Sequence, residues 1–61
     1  MDKRMTVNEL LKNLKTIKDD LGGDNELFFN AGGTISVICK RDDEYIGYTI
    51  DIDRNLVKKI E

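Results

Sequence analysis

The stretch TVNELLKNLKTIKDDL, residues 6–21, carries the longest periodic apolar pattern in this chain of 61 residues. Thr6 followed by Glu9 is a capping box that begins a helix, and Gly22-Gly23 ends it because glycine accepts a left-handed conformation. Between these signals the apolar residues recur at i, i+3, i+4 and i+7, which places them on one side of a helix. They are Val7, Leu10, Leu11, Leu14, Ile17 and Leu21. The stretch predicts one amphipathic helix that the rest of the chain must cover.

After the helix, the apolar pattern changes to an alternation typical of β-strands. We predict strands over 26–30, 34–40 and 45–52, joined by a glycine turn at 31–33 and a polar turn at 41–44. Segment 53–61 fits either a short helix or a fourth strand, and we favour the strand.

The predicted fold is α+β, with one N-terminal amphipathic helix packed on a three- or four-stranded antiparallel meander in the order α-β-β-β-β. Residues 1–5 have neither an apolar period nor a cap, so we expect a frayed leader there. Residues 6–61 are expected to form a single domain.

The alternation also predicts which side of the sheet meets the helix. The residues expected on that inner face are Leu27, Phe29, Ile35, Val37, Cys39, Ile46, Ile50 and Ile52. The other face has no second layer to cover it, and we expect Phe28, Ile38, Tyr45 and Val57 there. Apolar side chains on an uncovered face mark binding or dimer surfaces. We therefore expect a homodimer, formed through this face or through an exposed edge strand, with Phe28 and Ile38 as anchors.

The composition excludes a nucleophilic triad, because the chain has no histidine, one serine in a predicted strand and one cysteine predicted to face the core. We expect no enzyme activity, no cofactor, no metal site and no small-molecule substrate. The lone cysteine fits a reducing compartment, and no apolar run is long enough to cross a membrane. We therefore expect a cytoplasmic protein with no membrane partner.

Twelve Asp and Glu residues against ten Lys and Arg give a formal net charge of −2, which disfavours nucleic acid as a partner. The acids gather at the end of the helix, in Asp19 and Asp20, and in one turn, in Asp42, Asp43 and Glu44. Such residues are typical of solvated turns. The alternative is a negative surface that imitates phosphates and occupies a basic groove on a partner.

Two functions of different class follow. The one we favour is an acidic protein-binding module that inhibits or regulates a host nucleic-acid-handling protein, with Phe28 or Tyr45 anchoring the contact. The alternative is a single-stranded nucleic-acid-binding module in which the same aromatic rings stack on bases. Its basic residues would be Lys40, Arg41, Lys58 and Lys59. A purely structural homo-oligomer is a third reading.

The opening MTVNELL, residues 5–11, resembles the M-T-V-x-E-L opening shared by many very small proteins of phages and mobile elements. Residues 8–11 (NELL), residues 44–46 (EYI) and the helix-then-meander order are also similar to those of small anti-CRISPR proteins that inhibit Cas9. The resemblance implies a phage-type accessory protein. In that family it further implies an acidic mimic of nucleic acid that occupies the DNA-recognition groove of the effector. This chain differs in lacking a long acidic C-terminal helical region.

Overall fold

The structure, a computed structural model, describes residues 3–60 as one α-helix followed by four β-strands. The elements are α1 (Val7–Leu21), β1 (Leu27–Asn30), β2 (Thr34–Arg41), β3 (Glu44–Asp51) and β4 (Leu56–Ile60). All neighbouring strands pair antiparallel in the order β1-β2-β3-β4. This confirms the predicted α-β-β-β-β fold, including a strand in the last segment. Residues 1 and 2 of the predicted leader and residue 61 lie outside the described residues.

Helix α1 begins and ends at the residues that the sequence predicts. The Thr6 hydroxyl accepts a hydrogen bond from the Glu9 amide at 3.2 Å, and the Glu9 carboxylate accepts one from the Thr6 amide at 2.9 Å. At the other end, the Gly22 amide donates to the Lys18 carbonyl at 2.8 Å. Gly22 has φ 98° and ψ 159°, an extended conformation at positive φ rather than the left-handed helical one that we expected. Glycine alone adopts this region readily.

Strand register decides which side chains form the core. Ile35 pairs with Ile50 and Val37 with Tyr48, and the four side chains point toward α1 on what we call the helix face. The buried core consists of Ile17, Leu21, Ile35, Val37 and Ile50. Seven half-buried residues pack around it: Met5, Leu10, Leu14, Cys39, Ile46, Tyr48 and Ile52. The opposite side of the sheet, which we call the open face, is uncovered in the described chain.

The helix covers less of the sheet than we predicted. Leu27 and Phe29 lie on the helix face by register, yet both are exposed, Phe29 by 78%. Val7 and Leu11 of the predicted apolar stripe are exposed as well. A helix is about 10–12 Å across, whereas four strands about 4.8 Å apart span roughly 14 Å between the outermost backbones. Because α1 contacts β3, β4 and their connection, the β1 side stays uncovered.

The pairing of β4 corrects one assignment to the open face. Val57 is opposite Ile50, so it lies on the helix face. Leu56 and Ile60 take the open-face positions of this strand, opposite Asp51 and Gly47. The sequence could not decide this, because a shift of one residue in register exchanges the two faces.

The connection of β2 to β3 is short. Asp42 and Asp43 have φ of 52° and 66° and form a two-residue turn between the paired residues Arg41 and Glu44. Positive φ at both central positions is the mark of a type I′ turn, which suits the right-handed twist of the strands.

Within β3, a Cβ atom added to Gly47 would collide with the Val37 carbonyl oxygen. The two backbones therefore approach each other closely at this glycine.

The structure ties residues 4 and 5 of the predicted leader to the sheet. The Met5 amide donates to the Ile52 carbonyl at 3.0 Å, and the Met5 side chain packs against the core. Arg4 forms an exposed ion pair with Asp53 at 3.6 Å. The segment before the helix is therefore docked on the end of β3.

Candidate interaction surface

The open face presents apolar side chains in successive rows that begin at the turn between β2 and β3. Tyr45 stands beside Lys40 in the first row, and Ile38 and Ile60 flank Gly47 in the second. Phe28 follows in the third row, beyond Ser36, and Leu56 in the fourth. All five apolar side chains are exposed, by 39% to 62%. They form an apolar strip that runs the length of the open face.

The strip ends at three consecutive acids, Asp42, Asp43 and Glu44, which we call the acidic turn. All three are exposed. Within residues 3–60, none of them takes part in an ion pair or in a side-chain hydrogen bond, so their charges face solvent. A shallow concave region of about 690 Å³ adjoins the turn and is lined by Glu44, Tyr45, Ile46 and Lys59. The acidic turn and the open face thus meet at Tyr45.

The other two predicted acids lie at the same end of the molecule but have partners within the chain. Asp19 forms an exposed ion pair with Lys15 at 3.2 Å, one turn earlier in α1. The Arg41 guanidinium donates to the Asp20 backbone carbonyl at 3.1 Å, which holds the end of α1 next to the start of the acidic turn. The structure therefore brings five predicted acids to one end, of which only the three in the turn are unpaired among the described residues.

Asp20 is the most strongly engaged of these acids. Tyr48 donates a short hydrogen bond to its carboxylate, and the Lys59 ammonium lies 3.5 Å away. The bond from Tyr48, followed by the attraction of Lys59, lowers the pKa of Asp20 below its ordinary value. The same bond raises the pKa of Tyr48. Asp20 is thus held ionised as part of the packing between helix and sheet.

The four basic residues required for nucleic-acid binding divide between the two faces. Lys40 and Lys58 are on the open face, where the Lys40 ammonium lies 5.9 Å from the centre of the Tyr45 ring. Arg41 and Lys59 point to the helix face and contact Asp20. The open face therefore offers only two of the four cations to a ligand.

Sequence reasoning missed two features, one on the open face and one between helix and sheet. Leu56 and Ile60 join the strip only because the connection of β3 to β4 sets their register. The alternation in LVKKI was a visible signal, but the face it assigned depended on that register. The pairing of Tyr48 with Asp20 had no local signal, since the two residues are 28 positions apart.

Comparisons of the chain with protein-family models, with curated proteins and with solved structures found no match. In the described part of the chain, the helix is too short and too polar to cross a membrane. Among residues 3–60, no three cysteine or carboxylate side chains converge into a group suited to hold a metal ion.

Proposed function

We propose that this protein is a small acidic protein-binding module that occupies a basic groove on its partner. The observation that carries the proposal is the junction at Tyr45, where an exposed apolar strip meets three unpaired acids. Aromatic anchors surrounded by charge are the usual composition of a binding surface between proteins. The strip would supply the buried contact, and the acidic turn would orient it against positive charge.

The conformation of the acidic turn supports this assignment. Asn-Gly is the preferred pair for a type I′ turn because both residues need a positive φ. Here both positions hold Asp, which is tolerated at the first position, whereas glycine is preferred at the second, where Asp43 lies. Nothing within residues 3–60 compensates by binding the two carboxylates. When an exposed turn lacks the residue that its conformation prefers, selection for function is the expected reason.

The role we propose for this binding is inhibition or regulation of a host nucleic-acid-handling protein, by an accessory protein of phage type that acts in the cytoplasm. A surface of exposed carboxylates competes with phosphates for the same Arg and Lys side chains. We propose no catalytic role for any residue of the chain. A homodimer is compatible with this role, since it presents the acidic turn and the strip twice.

Binding of single-stranded nucleic acid is the second candidate. It is favoured by the cation over Tyr45 and by Lys58, which shares a cross-strand row with Phe28. A stacked base needs an aromatic ring beside a positive charge, and Tyr45 with Lys40 provides one. Lys58 is on the opposite edge strand from Phe28, with Ser36 and Thr49 between them. The acidic turn next to Tyr45 repels a phosphate backbone, so we favour the protein partner.

The test is affinity capture from host lysate with the wild-type chain and with the double variant Asp42→Asn/Asp43→Asn. Asn tolerates positive φ as well as Asp does, so the variant removes two charges while keeping the turn. We expect the wild type to retain one stoichiometric protein and the variant to lose it. The matched control is Asp24→Asn/Glu26→Gln, which changes the net charge equally at two exposed acids outside the turn.

Equal retention by the wild type and both variants would show that the acidic turn is not the contact. Binding to single-stranded DNA and RNA is measured in parallel at increasing salt. A steep loss of affinity with salt and no captured protein would favour the nucleic-acid candidate instead.

A further inference from the structure

The two edge strands of the sheet differ in the features that discourage pairing with another chain. Strand β4 carries Lys58 and Lys59, and lysine on an edge strand discourages pairing with another chain. Strand β1, with the sequence LFFN, contains no charged residue and no proline, and all four of its residues are exposed. An apolar, unguarded edge strand is a template for one more strand.

The hydrogen-bond phase of the sheet shows which backbone groups of β1 are unpaired. The Ile52 amide donates to the Gly33 carbonyl at 3.3 Å, which continues the register of β2 with β3. Because bonding directions alternate along a strand, odd-numbered residues of β2 bond to β3 and even-numbered ones bond to β1. The residues of β1 opposite those even positions are Phe28 and Asn30. Leu27 and Phe29 therefore direct their amides and carbonyls toward the free edge.

We propose that a second copy of this chain pairs with β1, antiparallel and about a twofold axis, to form a continuous eight-stranded sheet. The axis passes beside Phe28, so that Leu27 of each copy is opposite Phe29 of the other and the two Phe28 residues face each other. This register engages every outward backbone group of Leu27 and Phe29 in both copies. A shift of one residue would bring helix-face positions against open-face positions, and a shift of two would leave half of these groups unpaired.

The same register also buries the exposed side chain of Phe29 in the proposed dimer. A groove of about 230 Å³ runs between the second half of α1 and β1, lined by Leu14, Ile17, Leu27 and Val37 among others. Phe29 of the second copy lies next to Leu27 on the helix face, at the mouth of this groove. Phe29 is exposed by 78% in the single chain, and the symmetry fills both grooves at once.

The pairing brings no like charges together. On the open face the two Phe28 rings form a non-hydrogen-bonded pair, in which side chains approach most closely. The next position outward places Glu26 opposite Asn30 of the second copy. The two apolar strips then join across the axis into one surface. The dimer does not depend on the proposed partner. The acidic turn connects β2 to β3 and takes no part in the pairing of the two β1 strands.

Sedimentation equilibrium at protein concentrations up to about 1 mM tests the dimer, because an interface built on one edge strand is small and is expected to be weak. We expect a mass of twice 7.0 kDa at the upper concentrations. Phe29→Lys should raise the dissociation constant by on the order of 100-fold, since apolar burial is lost at two equivalent positions. The control Val7→Lys alters a helix residue of equal exposure, 77%, and should leave association unchanged.

A cysteine cross-link tests the register. In a Cys39→Ser background, Phe28→Cys should form a disulfide-linked dimer under mild oxidation. The Cα atoms of such a pair lie about 4.5 Å apart, within the range of roughly 4.4–6.8 Å that a disulfide spans. Leu56→Cys is the control, because Leu56 has the same exposure, 48% against 49%, on the open face of the opposite edge strand.

The proposal would be overturned by a monomer at every concentration, by equal effects of Phe29→Lys and Val7→Lys, or by equal cross-linking at positions 28 and 56. Masses that grow beyond the dimer would also overturn it, since they indicate head-to-tail pairing of β1 with β4.

Discussion

Tyr48 in the middle of β3 donates a hydrogen bond to the carboxylate of Asp20 in the last turn of α1. A carboxylate at that end of a helix is unfavourable, because the helix dipole is negative there. Tyr48 and the Lys59 ammonium offset this local cost through contacts from the sheet. Asp20 thus joins the last turn of the helix to the sheet. The acids of the acidic turn have no such partner within the described residues and remain available to another protein.

This contact predicts a loss of stability in acid. The pKa of Asp20 is lower in the folded chain than in the unfolded one, so the unfolded chain binds the proton more readily. Its contribution is present above the ordinary pKa of aspartate, about 3.9, and is lost as pH falls through the folded pKa. Urea unfolding between pH 7 and pH 2 should show a shallower acid dependence for Asp20→Asn than for the wild type.

Part of the acid dependence should persist in that variant. The pKa of Glu9 is also lowered, chiefly by the backbone amide of Thr6 and then by the Asn55 side chain. An unchanged pH profile in Asp20→Asn would contradict the role given to the carboxylate.

The phenol of Tyr48 should make stability depend on pH in the opposite direction, with a loss at high pH. The pKa of Tyr48 is raised in the folded chain, so its contribution is complete below the ordinary tyrosine pKa, about 10, and is lost as pH rises through the folded value. Tyr48→Phe should lower the melting temperature at pH 7 and weaken the alkaline dependence. Tyr45→Phe is the control, because the Tyr45 hydroxyl makes no hydrogen bond within the described residues and its ring is exposed. Equal melting of the two variants would contradict this prediction.

The core predicts a large cost for one truncation. Ile50 is fully buried at the centre of the sheet, and Ile50→Ala should lower the free energy of unfolding by about 2–5 kcal/mol. A domain this small has little stability to lose, so the variant is expected to be largely unfolded at room temperature. Val7→Ala removes an exposed aliphatic side chain and should change stability by less than about 0.5 kcal/mol. Chemical denaturation followed by circular dichroism measures both.

Replacing Gly47 should lower the free energy of unfolding, because its strand lies close to the backbone of the neighbouring strand. Gly47→Ala places a methyl group against the Val37 carbonyl, which belongs to the paired strand and cannot move aside. We expect a loss of about 1–3 kcal/mol. In Gly23→Ala the new methyl group meets only the flexible side chain of Lys18, so thermal melting should remain close to that of the wild type. A wild-type melt for Gly47→Ala would mean that the strands separate more easily than their register indicates.

The acidic turn predicts a variant that is more stable and less active. Asp42→Asn/Asp43→Gly supplies the preferred type I′ pair and should raise the free energy of unfolding by about 1 kcal/mol. The same change removes two charges from the proposed contact, so partner capture should fall. A gain in stability with full capture would separate the turn from the binding function.

Local signals in the sequence determined most of the secondary structure. The capping box and the glycines set both ends of α1, and the change to a period of two located the strands within one or two residues. These features depend on interactions between residues close in the chain, so a single sequence contains them. The open-face positions of Phe28, Ile38 and Tyr45 also followed from alternation alone, once the helix was known to cover the other side.

Only the tertiary structure decided how far the helix reaches and which acids are engaged. Val7, Leu11 and Phe29 satisfy the apolar pattern and are nevertheless exposed. Phe29 is uncovered because one helix is narrower than four strands, whereas Val7 and Leu11 lie on a side of the helix that the sheet does not cover. Asp20 and Asp42 look alike as acids next to a turn, yet Tyr48 reaches only the first. Such differences depend on the rotation and position of the helix on the sheet. These are set by packing between residues distant in sequence, which no local pattern encodes.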